Sequence, residues 1–293
     1  MTLNRGARSR IAGIAGAFAV VYGTAVGYMA VQEPALVYVS AAARRPDRPV
    51  PTSEAHLPWD TVRVRDANGI PVFLLASRLQ RAEHHPWVLY FHGNAGLVGS
   101  RGNVLRYRLL REAGFNVLAV EYRGYGASVA AGDPSEQGLY ADADAAWAYL
   151  TATLRVRSDH IVLYGWSLGS GPATYLAALH KAAALVTEGA FTSLPDVGAE
   201  RYPWIPVHLV MRNRFDNLRR AARLVSPWTV FHGRRDTDVP FSQGRALAAA
   251  AHGARFVPLS ANHAEGVLAD RATSLPILSD IARQCLGLAA QGR

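Results

Sequence analysis

Residues 163–171 read LYGWSLGSG and contain the pattern Gly-x-Ser-x-Gly, with Ser167 at its centre. The apolar residues Ile161–Tyr164 at the start of this region are typical of a short buried strand. An alanine-rich run, Pro172–His180, comes after it and is typical of a helix. The sequence therefore predicts a strand, a sharp turn and a helix in that order.

This order is the setting of a nucleophile elbow, in which a serine hydroxyl is held exposed above the edge of a sheet. Gly165 and Gly169 lack a β-carbon, so the strand and the helix can pack closely on either side of Ser167. We predict that the helix starts at Leu168 and that the Leu168 N–H binds a developing oxyanion. The alternative is an ordinary glycine-rich turn in front of a packed helix.

Apolar strand patterns alternate with helical patterns along the chain, which predicts an α/β domain with a mostly parallel central sheet and helices on both faces. The predicted strands are Trp87–Phe91, Asn116–Glu121, Ile161–Tyr164, Ala184–Thr187, Trp228–Phe231 and Arg255–Leu259. Upstream, Thr61–Arg65 and Ile70–Leu75 flank a turn at Asn68-Gly69 and predict an antiparallel edge hairpin. A single domain over residues 59–293 accounts for the whole pattern.

The first parallel strand, Trp87–Phe91, ends in a glycine-rich loop, HGNAG at residues 92–96. A loop of this kind can present a free backbone N–H to an oxyanion. Because it follows the first parallel strand upstream of the elbow, Asn94 is our candidate for the second oxyanion donor, beside Leu168.

Three acidic residues and a histidine lie near predicted strand ends downstream of Ser167. Asp236 is our first candidate for a carboxylate that orients a catalytic histidine. Asp238 is the second and Glu188 is the third, and one of the two aspartates could instead cap the next helix. His263 follows the last strand, and the order Ser167, Asp236, His263 is the one that this architecture uses.

An uncharged, apolar run, Ile11–Gln32, follows an N-terminal segment that carries Arg5, Arg8 and Arg10. At about 1.5 Å of rise per residue, a helix of this length can cross a hydrocarbon layer of about 30 Å. We therefore predict a membrane anchor in residues 1–32 and a proline-rich linker in residues 33–58. A cleaved signal peptide is the alternative.

The positive charge before this run favours a cytoplasmic N-terminus, which sends the catalytic domain across the membrane. The predicted location is a bacterial inner membrane with a periplasmic catalytic domain, and secretion after signal cleavage is the alternative. Small residues recur on one helix face, at Ala15, Ala19, Gly23 and Gly27. This spacing would let a second helix approach closely, so a homodimer through the anchor helix is one interpretation. An anchor with no partner helix is the other interpretation.

The net charge of +9 comes almost wholly from arginine, since Lys181 is the only lysine. The sequence contains no basic run interleaved with aromatics and no zinc-finger or RNA-binding signature, so we expect no nucleic-acid partner. It also contains no His-Glu-x-x-His or other metal-ligand spacing, and the predicted chemistry uses no metal and no cofactor. The single cysteine, Cys285, excludes an internal disulfide.

Six motifs occur in order along the chain: HGNAG at 92–96, YRGYG at 122–126, PSE at 134–136, GWSLG at 165–169, FTS at 191–193 and HGRRDTDVP at 232–240. From about Gln32 to about His263 the chain thereby resembles the membrane-anchored α/β-hydrolases of the ABHD type. That branch includes protein depalmitoylases and many bacterial members. The resemblance implies a serine hydrolase fold and leaves the substrate open. The cysteine-rich N-terminus usual in depalmitoylases is missing here.

These observations predict a serine hydrolase that cleaves carboxylic ester or thioester bonds through Ser167, His263 and Asp236 by way of an acyl-enzyme. The expected substrate is a small molecule or lipid with an acyl ester or thioester. One alternative is an aminopeptidase of the same fold, which needs an anionic pocket for the substrate amine. Another is a non-catalytic binding protein of this fold. Residues 202–211 form either an apolar flap over the acyl site or part of an ordinary crossover helix.

Overall fold

A central sheet organises the chain, and the computed structural model describes residues 5–39 and 57–288 of it, with side chains in the first helix from residue 13. The strands are β1 Asp60–Arg65, β2 Pro71–Ser77, β3 Trp87–Phe91, β4 Asn116–Glu121, β5 Ile161–Trp166, β6 Ala184–Glu188, β7 Trp228–Gly233 and β8 Arg255–Leu259. Their order in the sheet is β1-β2-β4-β3-β5-β6-β7-β8. β2 pairs antiparallel with both β1 and β4, and all the other neighbours are parallel.

Helices cover both faces of this sheet. Within the described part of the chain they are α1 Arg5–Val37, α2 Arg101–Glu112, α3 Glu136–Ala148, α4 Ser170–Leu179, α5 Leu194–Arg201, α6 Val207–Val210, α7 Asn217–Ala221, α8 Phe241–Ala250, α9 Gly266–Ala269 and α10 Arg271–Cys285. A 3-10 turn, Ser167–Gly169, links β5 to α4.

The hydrophobic core is divided by the sheet into two clusters. On β3, Leu89 and Phe91 pack in the cluster that contains α3 and α4, whereas Val88 and Tyr90 pack in the cluster that contains α2 and α10. This alternation is the two-residue period of a strand. Because helices bury both faces, β3 and the inner positions of its parallel neighbours are apolar instead of alternating with polar residues.

The α/β prediction is confirmed, including the edge hairpin and the mostly parallel sheet. The main local difference lies after the elbow serine. The α-helix begins at Ser170 and not at Leu168, because the tighter turn Ser167–Gly169 precedes it. The alanine-rich run then forms α4 as expected.

The N-terminal helix is longer than the sequence predicted. It continues from the apolar run through Glu33–Val37, which we had assigned to the linker. Pro34 does not end the helix, and its carbonyl accepts a hydrogen bond from the Tyr38 N–H at 2.8 Å. Burial of Glu33, Val37 and Tyr38 against the rest of the protein accounts for this extension. The predicted linker prolines Pro46, Pro49 and Pro51 lie outside the described residues.

Part of this helix, Gly13–Val37, is 25 residues long, and the mean hydropathy of an 18-residue stretch within it is 1.7. That length and composition are sufficient to cross a membrane, and an N-terminal signal sequence would meet the same criteria. The structure therefore contains one N-terminal apolar helix with two compatible roles.

Candidate active site

The turn after β5 holds Ser167 in a strained conformation. Its φ is +52°, in the left-handed region that residues with a β-carbon seldom adopt. The backbone around it is also tightly packed. A β-carbon on Gly165 would lie 2.4 Å from the Gly169 carbonyl oxygen, and one on Gly169 would lie 2.1 Å from the Phe91 carbonyl oxygen. Both glycines are therefore required by close approach of the backbone, and the strain is localised at the serine.

Ser167, His263 and Asp236 form one chain of hydrogen bonds. The Ser167 hydroxyl lies 2.8 Å from His263 Nε2, and His263 Nδ1 lies 2.7 Å from Asp236 Oδ2. The carboxylate can only accept, so Nδ1 carries a proton and Nε2 is left to accept from the serine. The Asp236 side chain is almost completely buried, whereas the His263 ring keeps 12% of its surface exposed. The structure thus brings together the three residues that the sequence analysis singled out first.

The carboxylate of Asp236 is held in place by its own loop. Its other oxygen, Oδ1, accepts the backbone N–H groups of Asp238 at 3.0 Å and Val239 at 2.8 Å. Asp238 is exposed and contributes its backbone N–H to Asp236, not its carboxylate to His263. It lines the neighbouring cavity. The structure does not bring this second candidate acid to the histidine.

Glu188, the third candidate acid, is bonded elsewhere. Its carboxylate receives both ends of the Arg106 guanidinium, at 2.8 and 2.6 Å, and both side chains are 1% exposed. It also accepts the Tyr164 hydroxyl at 2.7 Å and the Val267 N–H at 3.0 Å. With its oxygens occupied in this way, Glu188 is not the carboxylate that contacts His263.

Arg106 is a residue of this site that the sequence analysis missed. Besides Glu188, its guanidinium donates to the Ala264 carbonyl at 2.9 Å and stacks 3.8 Å from the centre of the Trp166 ring. Burial opposes its charge, but the Glu188 carboxylate outweighs this and raises the arginine pKa further. A sequence signal did exist: Asn103, Arg106 and Leu110 share one buried helix stripe, where an arginine needs a partner.

The two candidate oxyanion donors lie beside the elbow serine. Leu168 is the second residue of a 3-10 turn, so its N–H has no acceptor within that turn. The loop that contains Asn94 packs against the elbow, since a β-carbon on Gly93 would be 3.5 Å from Ser167 Cβ. The Asn94 carbonyl accepts from the Tyr125 hydroxyl at 3.2 Å, which fixes the next peptide of this loop, between Asn94 and Ala95.

Two further histidines at strand ends have structural partners. His92 is within 3.1 Å of the Glu121 carboxylate and within 2.8 Å of the Gly93 carbonyl. His232 donates Nε2–H to the Val239 carbonyl at 2.9 Å, and burial lowers its pKa. Within the described residues, no group of three or more His, Cys, Asp or Glu is arranged to hold a metal ion.

A cavity of about 550 Å³ opens beside Ser167 and His263. One of its walls comes from residues 202–211, which we call the cap segment, and includes Ile205, Val207 and Met211. This is the position that an apolar flap would occupy. Most of the lining is apolar, with charged exceptions at Glu33, Arg201 and Asp238.

Comparison with known proteins agrees with the fold described above. A family model described as alpha/beta hydrolase fold matches residues 86–234. The chain is 40% identical over 173 residues to protein Rv2307c of Mycobacterium tuberculosis, a match that covers 59% of this chain and 60% of that protein. It is 33% identical over 165 residues to alpha/beta hydrolase domain-containing protein 17B of Xenopus laevis, covering 55% and 53%. The chain thus matches little more than half the length of these relatives.

Solved structures share the fold at low sequence identity. The Pyrococcus furiosus esterase Pf2001 superposes with a TM-score of 0.66 at 16% identity, covering 83% of this chain and all of that one. Est1E from Butyrivibrio proteoclasticus gives 0.63 at 16% identity, covering 78% and 99%. The chain belongs to the α/β-hydrolase fold family, and its predicted resemblance to the ABHD type is confirmed.

Proposed function

We propose that the protein is a serine hydrolase that cleaves carboxylic ester or thioester bonds. The observation that carries this proposal is the hydrogen-bonded chain Ser167–His263–Asp236 at the mouth of an apolar cavity. Membership of the α/β-hydrolase fold family supports hydrolysis as the reaction class. The apolar lining supports an acyl group as the part of the substrate that is bound.

In this mechanism His263 Nε2 takes the proton of Ser167 while the serine oxygen attacks the carbonyl carbon. The N–H groups of Leu168 and Asn94 stabilise the oxyanion that forms. His263 then returns the proton to the departing alcohol or thiol. Water, activated by the same imidazole, releases the acyl group from the serine. Asp236 holds the ring in the required tautomer and stabilises its positive charge.

A fluorophosphonate probe tests the assignment of the nucleophile. We expect it to label the wild-type protein, to fail on Ser167→Ala, and to label Ser260→Ala normally, since Ser260 is an exposed serine at another loop. We also expect His263→Ala to lower kcat by several orders of magnitude in a folded protein. Equal labelling of wild type and Ser167→Ala would reject Ser167 as the nucleophile.

Assays on the same purified protein distinguish the two alternative functions. An aminopeptidase needs a carboxylate free to bind the substrate ammonium, and Asp238 is the exposed acid at the cavity wall. Cleavage of amino-acid anilides in preference to acyl esters would support that activity. A non-catalytic binding protein would hydrolyse neither class and would not react with the probe.

We further propose that α1 anchors the enzyme in a bacterial inner membrane, with the catalytic domain in the periplasm. The length and apolar composition of Gly13–Val37 support a span, and a cleaved signal peptide followed by secretion is the alternative. The small-residue face of α1 would allow a homodimer, and β-carbons on Gly23 and Gly27 would meet nothing within 4 Å. Crosslinking in membranes tests this, because Gly23→Leu/Gly27→Leu should lower the dimer yield.

A further inference from the structure

We propose that the last turns of α1, residues 29–37, form one wall of the acyl-binding site and set the length of acyl chain that fits it. This inference rests on the proposed hydrolase function. It makes the N-terminal helix a part of the substrate site in addition to any role as an anchor. The position that limits the chain length is Ala30.

Hydrogen bonds fasten α1 to the catalytic domain. The Glu33 carboxylate, 3% exposed, accepts the backbone N–H of Arg212 at 3.1 Å and that of Asn213 at 2.8 Å. The buried Tyr38 hydroxyl donates to the Asn213 side-chain oxygen at 2.7 Å. Higher on the helix, the Tyr22 hydroxyl donates to the Trp204 carbonyl at 2.7 Å. These contacts hold the second half of α1 against the cap segment and the residues that follow it.

One face of α1 lies at the cavity beside the candidate nucleophile. Met29, Ala30, Glu33, Leu36 and Val37 all line the cavity that contains Ser167 and His263. Their spacing places them on one stripe of the helix. Apolar residues of the adjoining cap segment, among them Ile205 and Val207, line the same cavity. An acyl group on the serine that occupies this cavity would therefore contact α1 as well as the cap segment.

The wall that α1 forms is almost entirely apolar. Four of its five side chains are apolar, and the one carboxylate is occupied by backbone N–H groups from the neighbouring loop. Such a wall recognises methylene groups, and each methylene that it removes from water improves binding by about fourfold. Ala30 has the smallest side chain of the stripe, so the space in front of it is available to the chain. A larger residue there fills that space.

The experiment compares Ala30→Phe with Ala35→Phe in the full-length purified protein. Ala35 is an exposed alanine, about 140° around the helix from Ala30, and does not line the cavity. The measurement is kcat/KM for p-nitrophenyl acetate, butyrate, octanoate and laurate. We expect Ala30→Phe to lower the laurate-to-acetate ratio at least tenfold, whereas Ala35→Phe keeps the wild-type ratio. An unchanged ratio in Ala30→Phe overturns the proposal.

A second variant and a second readout protect the test against misfolding and against failure of the proposed activity. Met29→Ala shortens a side chain of the same wall and so enlarges the cavity. It should shift the substrate preference toward esters with longer acyl chains. Binding of 11-dansylaminoundecanoic acid to Ser167→Ala needs no turnover, and adding Ala30→Phe should weaken it at least tenfold. Unaltered binding overturns the acyl wall. If Ala30→Phe weakens binding of this acid but the wild-type protein hydrolyses no ester, the result contradicts the proposed function and supports the wall.

Discussion

Asp236 and Asp238 stand two positions apart in one loop, yet their carboxylates have different surroundings. That of Asp236 is buried, contacts His263 Nδ1 and receives two backbone N–H groups of its own loop. That of Asp238 is exposed at the cavity wall. At the scale of single residues, the two aspartates therefore have different roles. Asp236 is placed to orient His263, whereas Asp238 belongs to the lining of the cavity.

Replacing each aspartate with asparagine tests this difference. Asp236→Asn should lower kcat on the order of 10⁴-fold, because an amide at this position favours the wrong histidine tautomer. Asp238→Asn, the matched control, should cost far less. Rates on a short acyl ester decide the point, and a larger loss in Asp238→Asn would transfer the orienting role to that residue.

At the scale of elements, one buried ion pair connects the parts that carry the candidate site. Arg106 lies on α2 and Glu188 at the end of β6, 82 residues later. The arginine also holds the Ala264 carbonyl, next to His263, while the glutamate receives the N–H of Val267 at α9. The chain just after the histidine is thus fastened to α2 through Arg106 and to β6 through Glu188.

Replacing only one partner of this ion pair should destabilise the folded protein. Arg106→Met leaves the Glu188 carboxylate buried without its cation and should lower the free energy of unfolding by about 3–5 kcal/mol. The double variant Arg106→Met/Glu188→Gln removes the charge and keeps an oxygen acceptor for Val267, so it should lose less. Denaturant unfolding followed by tryptophan fluorescence measures both. Equal losses would show that the uncompensated charge is not the cause.

At the scale of the whole molecule, an apolar helix and a hydrolase-fold domain pack together as one unit. Bonds to α1 reach Trp204, Arg212 and Asn213, all within or just after the cap segment. If α1 remains in the membrane, this packing holds the cavity close to the bilayer surface. Removal of α1 by signal cleavage would instead take away one wall of the cavity.

A C-terminal reporter fusion tests the orientation of this unit. A periplasm-active phosphatase should be active in a membrane-bound fusion, because positive charge at Arg5, Arg8 and Arg10 keeps the N-terminus cytoplasmic. Replacing these three arginines with alanine should lower that activity and raise the signal of a cytoplasm-active reporter. An inactive phosphatase on a membrane-bound fusion would reverse the topology. A soluble fusion that lacks the helix would identify a signal peptide.

Features that depend on contiguous residues were predictable from the sequence. Apolar runs and their periodicity predicted the parallel strands. The glycines around Ser167 predicted a tight turn between a strand and a helix. The order of Ser167, Asp236 and His263 was informative because parallel strands end at one edge of a sheet. Loops that follow different strands then come together whatever the distance between them in the chain.

Contacts between distant segments were decided only by the tertiary structure. Two carboxylates in one loop have the same local pattern, so no periodicity distinguishes Asp236 from Asp238. Glu188 looked like a candidate acid because its partner, Arg106, lies on another element. The hydrogen bond between the Asn213 N–H and the Glu33 carboxylate joins residues 180 positions apart. It holds part of the predicted linker at the wall of the cavity. Local pattern constrains the backbone of neighbouring residues, whereas the partner of a buried polar group depends on how whole elements pack.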